Sequence, residues 1–216
     1  MFFFKRNFYT QQLSAHQRIG PHNVDVLSVL VGTLLGNGHA EKRNNSTRFQ
    51  IHLRSRNYEY VFWLHKFFAE KGYSSRTKPV VKKQIGKNNN LYFSIKFNTF
   101  SFSSLNFVYD SFYNKQKKVI PKDIENFLTE QALAIWVMDD GGNSGSGMKI
   151  STESFLLSET ILLQKTLSEK FCVKPTIQHH KHKYILYFKK SDLLSLSSVI
   201  KSHMPSCMYY KLNLKI

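Results

Sequence analysis

Two nine-residue stretches in one chain constrain the fold more than any other feature. The first is Leu30-Val31-Gly32-Thr33-Leu34-Leu35-Gly36-Asn37-Gly38, and the second is Leu133-Ala134-Ile135-Trp136-Val137-Met138-Asp139-Asp140-Gly141. Each reads as the end of an apolar helix that runs into a polar residue and then a glycine. Gly32, Gly36 and Ala134 place small side chains within the apolar turns. Small residues let helix backbones approach closely, so the two helices are expected to pack against each other. Asn37 and Asp140, each just before its terminal glycine, then come together at one end of the helix–helix interface.

The rest of the chain must wrap this pair. Its 216 residues suffice for one large domain or two small ones sharing a core. The hydrophobic fraction of 42% predicts a packed globular protein. The net charge of +17, from 31 Lys and Arg against 14 Asp and Glu, favours a polyanionic partner. An anionic membrane is the competitor, but no apolar run approaches the ~18 residues of a spanning helix, and no long basic amphipathic helix stands out. Nucleic acid is the preferred partner.

Cys172 and Cys207 show no zinc-binding spacing and read as reduced, partly buried thiols. His179, His180 and His182 cluster without a carboxylate or cysteine, which points to a turn or a DNA-facing strand rather than a metal site. Abundant Phe and Tyr with frequent Lys, Asn and Ile are what A+T-rich coding produces, and suggest an organelle genome. The opening Met1-Phe2-Phe3-Phe4-Lys5-Arg6 is too short for the apolar region of a signal peptide.

In order, residues 1–20 read as an arm. A first helix runs from about Asp25 to Gly36, with Asn23 as its cap. Arg43 to Thr47 has turn composition. Thr47 to Arg54 alternates polar and apolar strictly, which makes a strand with one buried face. Its open face carries Arg48, Gln50, His52 and Arg54, types that reach base edges and phosphates, with no acid among them. Tyr58 to Lys71 has a helical apolar stripe. Ser74 to Gln84 is basic and strand-prone, Gly86 to Asn90 is a hairpin turn, and Leu91 to Phe97 alternates again. Lys78, Lys82, Lys83, Lys87 and Lys96 cluster there, beside Gln84. Residues 101–112 form a helix over the sheet.

A basic connector spans residues 115–129, and the order repeats in residues 130–216. Glu130 to Asp140 is the second motif helix. Met148 to Thr152 is a strand, Ser158 caps a helix to about Phe171, and Lys174 to His180 pairs with Lys183 to Phe188. Ser191 starts a last helix, and the chain from Pro205 shows no pattern of its own. The expected fold is α+β, with two pseudo-symmetric αββαββα halves at residues 21–114 and 130–216. Arg43, Lys82, Lys96 and their neighbours in the first half face DNA. Lys149, Ser151, Gln178, His180 and Lys183 do so in the second.

The two nonapeptides, together with Lys117-Lys118-Val119-Ile120-Pro121 before the second and Met208-Tyr209-Tyr210-Lys211-Leu212 near the C-terminus, resemble the LAGLIDADG homing endonucleases. The likeness is to the monomeric two-motif type encoded in organelle group I introns, and it covers about residues 20–214. It implies saddle-shaped antiparallel sheets lying on double-stranded DNA, with the motif helices at the centre. It also implies hydrolysis of one phosphodiester on each strand with Mg²⁺, Mn²⁺ or Ca²⁺. By that resemblance Asp140 and position 37 hold the metals, helped by the backbone carbonyls of Gly36 and Asp139. Lys118 and Lys211 sit near the scissile phosphates. Gln50 orients water in the first half, with Ser151 its candidate counterpart.

Position 37 departs from the family, where an aspartate is expected. Asn37 offers one neutral oxygen in place of two anionic ones, so cleavage by this sequence is expected to be impaired. The substitution fits an inactivated cutter, a strand-selective nickase, or an RNA maturase that assists group I intron splicing. The resemblance implies mitochondrial coding first and chloroplast coding second. The two unequal halves predict a monomer on a long asymmetric site, because the strand around Gln50 has no close copy in the second half.

Overall fold

The computed structural model describes residues 13–86 and 89–212. Most of the expected arm, together with Lys87 and Asn88 of the expected hairpin turn, lies outside the described residues, as do residues 213–216.

The first half opens with α1 (Val24–Leu35), whose start is fixed by the Asn23 side chain accepting from the Asp25 amide. It continues through β1 (His39–Arg43), β2 (Ser46–Arg54), α2 (Tyr58–Glu70), β3 (Val81–Ile85), β4 (Leu91–Asn98) and α3 (Asn106–Phe112). A two-residue hairpin, β5 (Tyr113–Asn114) with β6 (Lys117–Lys118), and the short α4 (Ile124–Phe127) lead into the second half. There α5 (Glu130–Asp140), β7 (Gly141–Ser144), β8 (Gly147–Ser151), α6 (Leu157–Phe171), β9 (Thr176–His180), β10 (Lys183–Phe188) and α7 (Lys190–Ile200) repeat the order. The sheets run β1-β2-β4-β3 and β7-β8-β10-β9, with every pair antiparallel. The expected α+β architecture of two αββαββα halves is what the chain adopts.

Several boundaries differ from the sequence reading. The turn expected at Arg43 is preceded by β1, and the turn expected over Asn143 to Gly147 narrows to Gly145 and Ser146 between β7 and β8. Only Val81–Ile85 of the basic segment before the hairpin is a strand. The helix expected to start at Ser158 begins at Leu157, where the Glu159 carboxylate accepts from the Leu156 amide at 2.6 Å. The last segment, Ser206–Leu212, is a 3₁₀ helix that carries Lys211.

The helices α1 and α5 lie side by side and run in the same direction. Thr129 Oγ1 donates to Ser28 Oγ at 2.8 Å at the upper end. Lower down, a Cβ on Gly32 would stand 2.5 Å from the Ala132 carbonyl oxygen and 2.5 Å from Ile135 Cβ, closer than real atoms approach. A Cβ on Gly36 would stand 2.5 Å from Asp139 Cβ. Glycine at both positions is therefore a packing requirement. Both helices are apolar on nearly every side because each is also covered by the sheet and helices of its half. Val29–Leu35 and Ala132–Met138 are buried without a break.

Strand register assigns the faces. Ile51 pairs with Phe97 and Leu53 with Ile95, and this side of the first sheet meets the helices. In the second, Ile150 pairs with Leu186 and Met148 with Phe188 on the equivalent side. Among the described residues the opposite faces carry no helix layer from their own half, and most of the candidate binding residues are on these faces.

Candidate functional site

Parallel packing of α1 and α5 brings two helix C-termini to one place. Each terminus has carbonyls without helical partners and a partial negative charge. Asp139 and Asp140, the last two residues of α5, add carboxylates there. Two lysines offset this charge. Lys118 Nζ donates to the carbonyls of Gly36 at 3.0 Å and Gly38 at 2.8 Å. Lys211 Nζ donates to the carbonyl of Gly141 at 2.6 Å. Gly38 and Gly141 are the ninth residues of the two motifs, so the lysines occupy matching positions, one below each helix. Burial lowers the pKa of both ammonium groups, and the two aspartates pull them back up.

The side chain that meets the end of α1 belongs to Asp139, one residue before the expected Asp140. The Asn37 amide N–H donates to Asp139 Oδ2 at 3.2 Å, and Asn37 Nδ2 donates to the Asp139 carbonyl oxygen at 3.2 Å. Tyr60, buried at the start of α2, donates its hydroxyl to Asp139 Oδ1 at 3.0 Å. Burial, followed by the charge of Asp140, pushes the Asp139 carboxyl up to about 7, against the pull of Tyr60, Asn37 and Lys211. Burial pushes Asp140 up to about 6, with Lys118 and Lys211 opposing and Glu153 reinforcing.

The oxygens expected to hold a metal differ in their hydrogen bonding. The Gly36 carbonyl is engaged by Lys118, the Asp139 carbonyl by Asn37, and the Asp139 carboxylate by Tyr60 and Asn37. Among the described residues the Asp140 carboxylate and the Asn37 side-chain oxygen accept no hydrogen bond. Among the described residues no three His, Cys, Asp or Glu side chains converge on one point. One carboxylate, one neutral oxygen and two helix C-termini nevertheless fit a hard divalent cation such as Mg²⁺, which keeps several waters and needs few protein ligands.

The open face of the first sheet holds most of the expected residues together. Gln50 pairs with His39 on one side and Asn98 on the other, His52 with Lys96, Arg54 with Ser94, and Lys82 with Ser94. Arg43, Arg48, Gln50, His52, Arg54, Lys82, Gln84 and Lys96 therefore share that face. Two expected residues do not. Lys83 pairs with Phe93 on the helix side, because side-chain direction alternates along a strand. Lys78 precedes β3 and lines a groove along α2 with Phe62 and Trp63. The face also carries an acid hidden from the sequence reading. Glu41 of β1 stands opposite Arg48 and binds it at 2.6 Å, with Arg43 at 3.2 Å.

In the second sheet Lys149, Ser151, Gln178, His180 and Lys183 share the equivalent face. Register corrects the counterpart of Gln50. Gln50 pairs with the residue after Gly38, and the residue that pairs with the one after Gly141 is Lys149, not Ser151. His180 Nδ1 lies 2.6 Å from Glu153, and His179 packs edge-on against Tyr184 on the other face, so the histidine cluster is divided between faces. Cys172 is exposed rather than partly buried.

Sequence reading missed Tyr60, Arg56 and Tyr210. Tyr60 falls on an ordinary apolar helical stripe, and nothing in the pattern marks it as the partner of Asp139. Arg56 and Tyr210 line a cavity of about 510 Å³ with Gly141 and Lys211. Both lie in 3₁₀ segments without a readable period.

Comparison with known proteins accords with this geometry. A family model described as the LAGLIDADG DNA endonuclease family matches residues 27–196. The chain is 34% identical over 214 residues to the cytochrome b mRNA maturase bI2 of Saccharomyces cerevisiae, covering 94% of this chain and 51% of that protein. It thus spans about half the length of that relative. It is 39% identical over 158 residues to the intron-encoded endonuclease ai4 of Dictyostelium discoideum, covering 70% of this chain and 99% of that protein. The fold matches that of the homing endonuclease I-WcaI bound to its DNA recognition sequence, with a TM-score of 0.82 at 24% identity, over 90% of this chain and 88% of that one.

Proposed function

The chain belongs to the LAGLIDADG DNA endonuclease family, and on that premise we propose that it binds a long, asymmetric site in double-stranded DNA and hydrolyses phosphodiesters at its centre with a divalent cation. The observation that carries this reading is the joint placement of two lysines below two converging helix ends, between two sheets with basic open faces. The sheet faces bind backbone and base edges, and the helix ends face the phosphates between them. One chain supplies both unlike halves, residues 21–114 and 130–216 joined by residues 115–129, so a monomer suffices.

At the centre, Asp140 and the Asn37 side-chain oxygen would hold the cation. When bound it lowers the pKa of water and stabilises charge on the reacting oxygens. The chain's own contribution is positioning and charge. Lys118 and Lys211 are anchored on the carbonyls of the motif glycines, which fixes one ammonium beside each helix end. Gln50 and Lys149, at matched register positions beside the two ends, offer an amide and an ammonium. A water hydrogen-bonded to Gln50 would be oriented without being charged, whereas Lys149 would act on the phosphate. The two ends are therefore chemically unequal. With Asn37 at the first, double-strand cleavage is impaired and nicking of one strand is favoured.

A second reading is kept because one relative is a maturase and because Asn37 ties up the Asp139 carbonyl. In it the chain assists splicing of its own group I intron RNA, and the basic faces serve RNA. Mitochondrial coding suits either reading. A supercoiled plasmid library carrying intron-insertion sites, incubated with the chain and Mg²⁺, separates them. Nicked or linear product at one site supports the endonuclease. Sequence-specific retention without any scission, together with accelerated intron splicing, supports the maturase.

A further inference from the structure

Arg56 lies in the 3₁₀ turn Ser55–Asn57 between β2 and α2, in the first half of the chain. It nevertheless lines the cavity beside the second helix end, with Gly141, Gly142, Tyr210 and Lys211. The guanidinium is exposed and, among the described residues, has no hydrogen-bond or ion-pair partner. Lys211 is close enough for the Arg56 charge to lower its pKa. Arg56 thus adds a cation without an anionic partner among the described residues to an open cavity that Lys211 also lines. A Cβ built on Gly142 in β7 would meet nothing within 4 Å, so the space beside this residue is open.

Pseudo-symmetry makes the position informative. Gln50 and Lys149 occupy matched register positions, so Arg56 corresponds to Phe155. Phe155 is 4% exposed and belongs to the core. At the first helix end, among the described residues, the position matching Arg56 is therefore a buried phenylalanine. Position 54 extends the contrast, because Arg54 corresponds to Glu153, which is paired with His180.

We infer that Arg56 reaches across the pseudo-dyad and, with Lys211, holds one phosphate of one DNA strand beside Gly141, with no equivalent clamp on the other strand. This rests on the duplex-binding reading above and adds a strand preference to it. A guanidinium suits the task because its planar fork donates to two phosphate oxygens at once.

The test is a phosphate-neutralisation scan. A duplex selected by the protein from a randomised pool is made with single methylphosphonates, one position at a time on each strand. Affinity is measured in Ca²⁺ for the parent chain, Arg56→Ala and Arg56→Lys. One central position on one strand is expected to weaken the parent roughly tenfold, as for loss of a charged hydrogen bond. Arg56→Ala should weaken binding to the unmodified duplex by a smaller factor and respond less than the parent to that methylphosphonate, because Lys211 still holds the phosphate, with Arg56→Lys in between. Equal sensitivity of the parent at the two pseudo-symmetric phosphates overturns the clamp, whatever Arg56→Ala does to folding. Additive losses in the doubly altered complex also overturn it, while leaving duplex binding intact. A parent chain that selects no duplex overturns the functional reading itself, and the clamp with it.

Discussion

The side-chain amide of Asn37 donates to the backbone carbonyl of Asp139 across the α1–α5 interface at 3.2 Å, while its backbone N–H donates to the carboxylate of the same residue. An aspartate at position 37 would lose the first bond and set an anion against a carbonyl and two carboxylates. Without divalent cation, Asn37→Asp is expected to destabilise the chain by ~1–2 kcal/mol. With Mg²⁺ that loss should be largely reversed and double-strand cleavage should rise, with Asp140→Asn abolishing it again. Thermal melts with EDTA and with Mg²⁺, and a plasmid assay resolving nicked from linear DNA, check both parts. An unchanged melt in both media would show that position 37 is indifferent to charge.

The raised carboxyl groups give a pH dependence of defined sign. Asp139 is pushed to about 7 and Asp140 to about 6, from an ordinary value of 3.8. Across the window between the ordinary and the raised values the folded chain binds more protons than the unfolded chain. Their contribution to stability therefore falls as pH rises through that window. Asp139→Asn should flatten this slope relative to the parent and raise the melting temperature at pH 8 by a few degrees, or ~1 kcal/mol. Mg²⁺ should narrow the difference at the upper end. Urea unfolding from pH 4 to 8 with EDTA measures it, and parallel curves for parent and variant would contradict it.

Close helix packing predicts a steep response at Gly32. Its Cβ would overlap the Ala132 carbonyl and Ile135, neither of which can move without opening the interface. Gly32→Ala is expected to cost ~1–3 kcal/mol as an overpacked core. Adding Ile135→Ala should recover part of the loss. A denaturant melt reads both variants.

Glu41 restrains two cations on the open sheet face. Glu41→Gln releases Arg48 and Arg43 for phosphate, so duplex affinity should increase several-fold and log K should fall more steeply with log salt, by roughly one extra unit of slope. Stability should change little, since exposed ion pairs contribute under ~1 kcal/mol. Fluorescence anisotropy at graded salt concentrations would reveal a flat response if the acid plays no part.

Much of the architecture follows from pattern. The cap at Asn23, the alternation from Thr47 to Arg54 and the small residues in both motifs each specify a local geometry, and together they specify the pair of halves. The strands β1 and β7 escape because His39–Arg43 has one buried side chain and Gly141–Ser144 is half glycine. Their structure comes from the strand beside them rather than from their own periodicity. The site is less readable for a similar reason. Successive helical residues point about 100° apart, so the motif alone leaves open whether Asp139 or Asp140 meets the neighbouring helix. Lys78 and Lys83 share their segment's charge and composition with Lys82, and only register separates their faces.

Gly32 and Gly36 on one helix receive Ile135 and Asp139 from the other. The interface is therefore a socket meeting a plug. Two copies of α5 brought together in the same register would set isoleucine against isoleucine and carboxylate against carboxylate, and two copies of α1 would leave gaps. If the chain were cut in the connector, its fragments could rejoin only as an unlike pair. The same geometry limits how halves from related proteins can be exchanged, because each donor half must bring the shape its new neighbour lacks.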